Sequence, residues 1–100
     1  MEPATSREDI RRRIDGLAAE LSRLGVRSLS LFGSAARDRL EADSDVDVLV
    51  EFEGPARFDP FMELKLLLED SLGRPVDLTT TAAMKPMLRA RIEPDLLRVA

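Results

Sequence analysis

Residues 45–52 read Asp-Val-Asp-Val-Leu-Val-Glu-Phe, and this alternation limits what the chain can fold into. Side chains of a strand point to opposite faces with a period of two. Val46, Val48, Val50 and Phe52 therefore share one face, and Asp45, Asp47, Leu49 and Glu51 share the other. Aspartate is among the poorest strand formers. It is tolerated here because the valine face can be buried without it. The segment belongs to a sheet that packs on one side and presents paired anions on the other.

The remaining elements follow from periodicity and punctuation. Thr5 or Ser6 can cap a helix that has Glu8 and Asp9 in its first turn. Ile10, Ile14, Leu17, Leu21 and Leu24 recur at helical spacing and predict one amphipathic helix that stops at Gly25. Residues 26–32 alternate around Leu29 and Leu31 and predict a strand. Residues 33–40 predict a turn leading into a short helix. Asp59 and Pro60 predict the N-cap and first residue of a helix whose stripe is Phe61, Leu64, Leu68 and Leu72, closed by Gly73. Phe58, Phe61 and Met62 are expected in the core. Residues 74–80 predict a third strand, and Pro86 opens a short helix with Leu88 and Ile92 inward. Residues 95–100 fit either a last short strand or a helical turn. The order α-β-α-β-α-β-α predicts one domain, residues 1–100, of the α/β (α+β) class: a small mixed sheet of three to four strands with helices packed on it.

Composition removes whole classes of chemistry. The chain has no cysteine and no histidine. Disulfides, a thiolate nucleophile, a Cys-based zinc site and a Ser-His-Asp triad are all excluded. Any catalysis must run on carboxylates, Arg, Lys, Ser or Thr and a bound metal. The formal net charge of −4 argues against a sequence-independent grip on nucleic acid. No window approaches the roughly 18 apolar residues of a membrane span, and the N-terminus lacks an apolar leader core. A cytoplasmic protein is expected.

The acids and a Gly-Ser pair assemble into a chemical hypothesis. Asp45 and Asp47 lie two apart on one strand face, so their Cβ atoms are about 6–7 Å apart. Two carboxylates at that distance can share divalent cations, and Mg²⁺ takes carboxylates together with phosphate oxygens and water. Gly33 and Ser34 sit at a strand-to-helix turn, where backbone N–H groups and the helix start favour anions. Ser34 serves as the helix N-cap and adds a hydroxyl donor. Arg37, three residues on, faces the same side if the helix continues, and its guanidinium suits phosphate oxygens. Asp77 is a lone acid between Val76 and Leu78 and must face away from both. If its strand lies beside residues 45–52, it can join Asp45 and Asp47 in a two-metal site that activates an acceptor hydroxyl and neutralises a triphosphate. An EF-hand reading from Asp43 fails, because Val48 and Gly54 stand where that loop needs Gly and Glu. No Walker A or dinucleotide-binding Gly-rich motif is present.

Gly33-Ser34, ten residues, then Asp45-x-Asp47 resembles the GS-x10-DxD signature of the DNA polymerase β-like nucleotidyltransferase superfamily. The whole run "LFGSAAR…DSDVDVLVEF…RPVDLTT…LRARI" is similar to its minimal, MNT-type branch, as in the antitoxin of HEPN/MNT toxin–antitoxin pairs. The resemblance spans residues 26–99 and implies a polymerase β-like nucleotidyltransferase fold. It implies that Asp45 and Asp47 hold two Mg²⁺ ions and Asp77 the catalytic one, that Gly33 and Ser34 bind the β- and γ-phosphates of ATP, and that Arg37 assists. The family's segment usually carries Gly where this chain has Asp38. The implied reaction is transfer of AMP to a hydroxyl of a protein acceptor, a HEPN toxin, within a homo- or hetero-oligomer. The alternative is a catalytically silent antitoxin that neutralises its partner by complex formation.

Overall fold

The computed structural model describes residues 2–100. Helix α1 (Arg7–Asp15) and helix α2 (Ala18–Arg23) lead into strand β1 (Val26–Phe32). A one-turn helix α3 (Gly33–Ala36), strand β2 (Val46–Phe52), helix α4 (Phe58–Leu72) and strand β3 (Val76–Thr80) follow. Helix α5 (Pro86–Ile92), a 3₁₀ turn (Glu93–Asp95) and a short strand β4 (Leu97–Arg98) complete the chain. The sheet order is β3-β2-β1-β4. β1 runs antiparallel to β2 and β4, while β2 and β3 are parallel and joined through α4. The four-stranded mixed sheet with helices is the expected fold class, and β4 resolves the ambiguity of the last residues in favour of a strand.

The valine face of β2 does what alternation requires. Val46, Val48 and Val50 are fully buried together with Leu29 and Leu31 of β1. Ile10, Ile14, Leu64, Leu68 and Leu72 pack into the same cluster, so α1 and α4 cover this face. Leu49 points the other way and is also buried, but it stands apart from that cluster.

Three local expectations are corrected. The N-terminal helix is not continuous: it breaks at Gly16, and the Leu17 N–H donates to the Ile14 carbonyl at 2.9 Å. Glycine is a weak helix former, and the break lets Leu21 and Leu24 turn onto the sheet as part of the core. Helix α4 starts one residue before Asp59, with Arg57 at the N-cap. Its first bond runs from the Phe61 N–H to the Arg57 carbonyl at 3.1 Å, so Pro60 falls in the first turn, where its lack of an N–H costs no helical bond. Phe58 is not core but 75% exposed, and Leu88 is also exposed; Arg89 and Ile92 are the partly covered residues of α5.

Candidate active site

The parallel pairing of β2 and β3 decides the site. Val46 pairs with Val76, and Asp47 pairs with Asp77 in the next register position. Neighbouring strands are about 4.8 Å apart, so the two carboxylates project side by side from one face. Asp77 is exposed while Val76 and Leu78 are buried, as a lone acid on an otherwise apolar strand requires. Asp45 lies one residue before β2 begins and is exposed. On the other side of β2, Phe32 pairs with Asp47, which brings the end of β1 and the following Gly33 against the same carboxylate.

Negative charge is crowded at Asp47 and only partly offset. The half-buried Asp47 carboxyl is pushed above its ordinary pKa by burial first, then by the charge of Asp77 and then by that of Asp45, with Arg37 acting in the opposite direction. Asp47 thus carries the strain of two neighbouring carboxylates, a setting that favours a cation beside it. Among the described residues, no three acids form a group that could hold a metal ion by itself. Mg²⁺ does not need one, because it keeps waters and takes substrate phosphate oxygens besides one or two carboxylates. The donor set is hard oxygen throughout. The space beside it is kept clear by Gly33, where an added Cβ would lie 2.3 Å from Asp47 Oδ2. These residues fit a divalent cation carrying a phosphate.

The anion side differs in detail from the sequence expectation. Gly33 adopts a left-handed φ of 65° and begins α3. Phe32, not Ser34, is the N-cap, so Ser34 lies inside the single helical turn. The turn ends at Ala36, with Arg37 as its C-cap, so the helix does not reach residue 39. The Arg37 guanidinium reaches Asp95 Oδ2 at 3.3 Å, with about half of each side chain exposed. Such a pair is weak and can exchange for a phosphate. Gly33, Ser34, Asp47 and Asp77 are thus brought to one end of the sheet, with Asp45 and Arg37 bordering them.

Asp38 explains its own departure from the family pattern. Its φ is 57°, the left-handed region that favours glycine and that aspartate tolerates better than most residues. Its Oδ1 accepts from the Arg7 N–H at 2.7 Å, so the carboxylate is engaged by the start of α1. Arg7 Nη1 in turn donates to the Ala36 carbonyl at 3.0 Å. Asp38→Ala loses both the backbone tolerance and the bond to α1 and is expected to cost about 1–2 kcal/mol. Asp38→Gly loses only the bond and should cost less. Urea unfolding of the two variants checks the order, and equal costs refute the left-handed argument.

With that geometry in place, comparison with known proteins gives a consistent result. The profile of the nucleotidyltransferase domain matches residues 14–99. Protein adenylyltransferase MntA of Thermococcus cleftensis is 43% identical over 76 residues, which is 76% of this chain and 73% of MntA. A solved minimal nucleotidyltransferase superposes with a TM-score of 0.80 at 33% identity, covering 91% of this chain and 93% of its own. A chain from the complex of tri-AMPylated Shewanella oneidensis HEPN toxin with MNT antitoxin shares the fold, with a TM-score of 0.68 at 19% identity over 94% of this chain and 71% of that one. This chain belongs to the nucleotidyltransferase domain family, with MNT-type protein adenylyltransferases among its homologues.

Proposed function

We propose that this protein is a cytoplasmic antitoxin that transfers AMP from ATP to a hydroxyl of a HEPN-type toxin. The observation that carries the reading is the register of Asp47 with Asp77 beside a glycine that leaves Asp47 open. In this reading Asp45 and Asp47 would hold two Mg²⁺ ions, and Asp77 would also hold the catalytic one. Bound Mg²⁺ supplies charge neutralisation at the triphosphate and a lowered pKa at the acceptor hydroxyl. The backbone around Gly33 and the Ser34 hydroxyl hold the β- and γ-phosphates. Arg37 exchanges Asp95 for a phosphate oxygen. The acceptor oxygen bonds to the α-phosphorus, the bond from that phosphorus to the bridging oxygen breaks, pyrophosphate leaves, and the hydroxyl proton passes to solvent. Without histidine, Asp77 orients the acceptor instead of a conventional base. Similarity to the protein adenylyltransferase MntA and a fold shared with a HEPN toxin–MNT antitoxin complex support the acceptor class.

The test uses the protein, a HEPN-type toxin, Mg²⁺ and ATP labelled at the α-phosphate. Label is expected on the partner, and Asp45→Ala/Asp47→Ala should fail both to transfer it and to neutralise the partner. If label stays on ATP while the double variant still neutralises, the silent-antitoxin reading replaces this one.

A further inference from the structure

Arg74 is the one buried charged residue among those described, only 7% exposed. A guanidinium taken out of water needs its donors satisfied. Among the described residues Arg74 pairs with no carboxylate. It instead donates to three backbone carbonyls from two distant segments. Its Nε reaches the Ala4 carbonyl at 2.5 Å, and its Nη1 reaches the Glu41 carbonyl at 2.7 Å and the Ser44 carbonyl at 3.0 Å.

Those two carbonyls, Glu41 and Ser44, are the ends of one turn. The Ser44 N–H donates to the Glu41 carbonyl at 3.2 Å, and the Glu41 N–H donates to Ser44 Oγ at 2.9 Å. The turn delivers Asp45, the next residue. Arg74 itself sits at the head of β3, three residues before Asp77, and the Val46 N–H donates to the Pro75 carbonyl at 3.0 Å. The guanidinium therefore fixes the turn that presents Asp45 to the strand that presents Asp77. Asp45 needs this support because it lies outside β2 and has no strand pairing to hold it.

We infer that Arg74 is a positioning residue for the metal-binding carboxylates, setting Asp45 against Asp47 and Asp77. The inference rests on the metal-binding reading of that cluster under Proposed function. Lysine cannot substitute, because a single ammonium lacks the planar fork that reaches carbonyls on separate segments.

Arg74→Lys tests it. Binding of Mn²⁺ in the presence of AMP-PNP is measured by the EPR signal of the free ion, alongside amide exchange of Ser44 and Asp45. Arg74→Lys is expected to weaken Mn²⁺ binding about tenfold, as loss of an outer-shell partner does, and to speed exchange at both amides. A folded Arg74→Lys protein with lowered Tm but wild-type Mn²⁺ affinity overturns the inference, because that is the behaviour of a purely structural residue. Should Arg74→Lys not fold, Ser44→Ala loosens the same turn from a partly exposed position: weaker Mn²⁺ binding supports the inference and unchanged binding overturns it. Wild-type protein that binds no Mn²⁺ defeats the proposed function itself, a result distinct from wild-type and Arg74→Lys proteins binding equally.

Discussion

Asp47→Asn is expected to reduce transfer by about 10²–10³-fold, equivalent to roughly 3–4 kcal/mol of barrier. The same substitution should raise the melting temperature of the metal-free protein near neutral pH by a few degrees. The first effect follows from position. Asp47 is the carboxylate that Asp77 pairs with across the parallel strands and that Gly33 leaves open. Removing its charge takes away the central member of the acidic cluster.

The second effect follows from the raised pKa of Asp47, caused by burial and then by Asp77 and Asp45. The folded protein binds this proton more tightly than the unfolded chain does. Its contribution to stability is therefore complete below the unfolded pKa of about 3.8 and is lost as pH rises through the higher folded value. At neutral pH the ionised carboxylate opposes folding, and a neutral amide does not. The effect stays small because the side chain is half-exposed and water screens it. The advantage of Asp47→Asn over wild type should be present at neutral pH and close as pH falls toward about 4. Mg²⁺ with ATP should stabilise wild type and not the variant, since a ligand stabilises only the state that binds it. A lower melting temperature for Asp47→Asn at neutral pH contradicts the electrostatic argument. Undiminished transfer contradicts the site assignment.

The fold and the acidic face were legible because both depend on period. Val46, Val48 and Val50 are buried as the alternation requires, and Asp77 is exposed between two buried neighbours. The strand pairing that brings Asp77 to Asp47 could be stated only as a condition, since sequence does not reveal which strands become neighbours. Errors fell where a single local choice decides. Gly16 interrupts a hydrophobic stripe that reads as one helix, because spacing is blind to a break that keeps both halves on the core. Phe58 looks like core by type, but it opens α4 on the outer side. Arg74 gives no pattern at all. A buried arginine satisfied by carbonyls reads in sequence as one more charged residue beside a proline, and only the fold shows which backbone groups it meets.

Gly33→Ala is the second large effect, and it separates the chemistry from the backbone. The new Cβ would sit 2.3 Å from Asp47 Oδ2 and 3.4 Å from its Cγ. Backbone atoms are not the obstacle, so the chain can remain folded while the Asp47 carboxylate is displaced from its place. Transfer is then expected to fall by about 10²-fold or more, because a displacement near 1 Å at a reacting centre has that consequence. Stability should drop by about 1–2 kcal/mol, because alanine at the left-handed φ of 65° is strained. The two contributions can be told apart with a second substitution. In an Asp47→Ala background the carboxylate that collides with the Cβ is gone, whereas the backbone strain persists. Gly33→Ala should therefore cost less stability in that background than in wild type, and the difference measures the collision. Equal costs in the two backgrounds place the whole effect in the backbone. Transfer by Gly33→Ala at the wild-type rate removes Gly33 from the site.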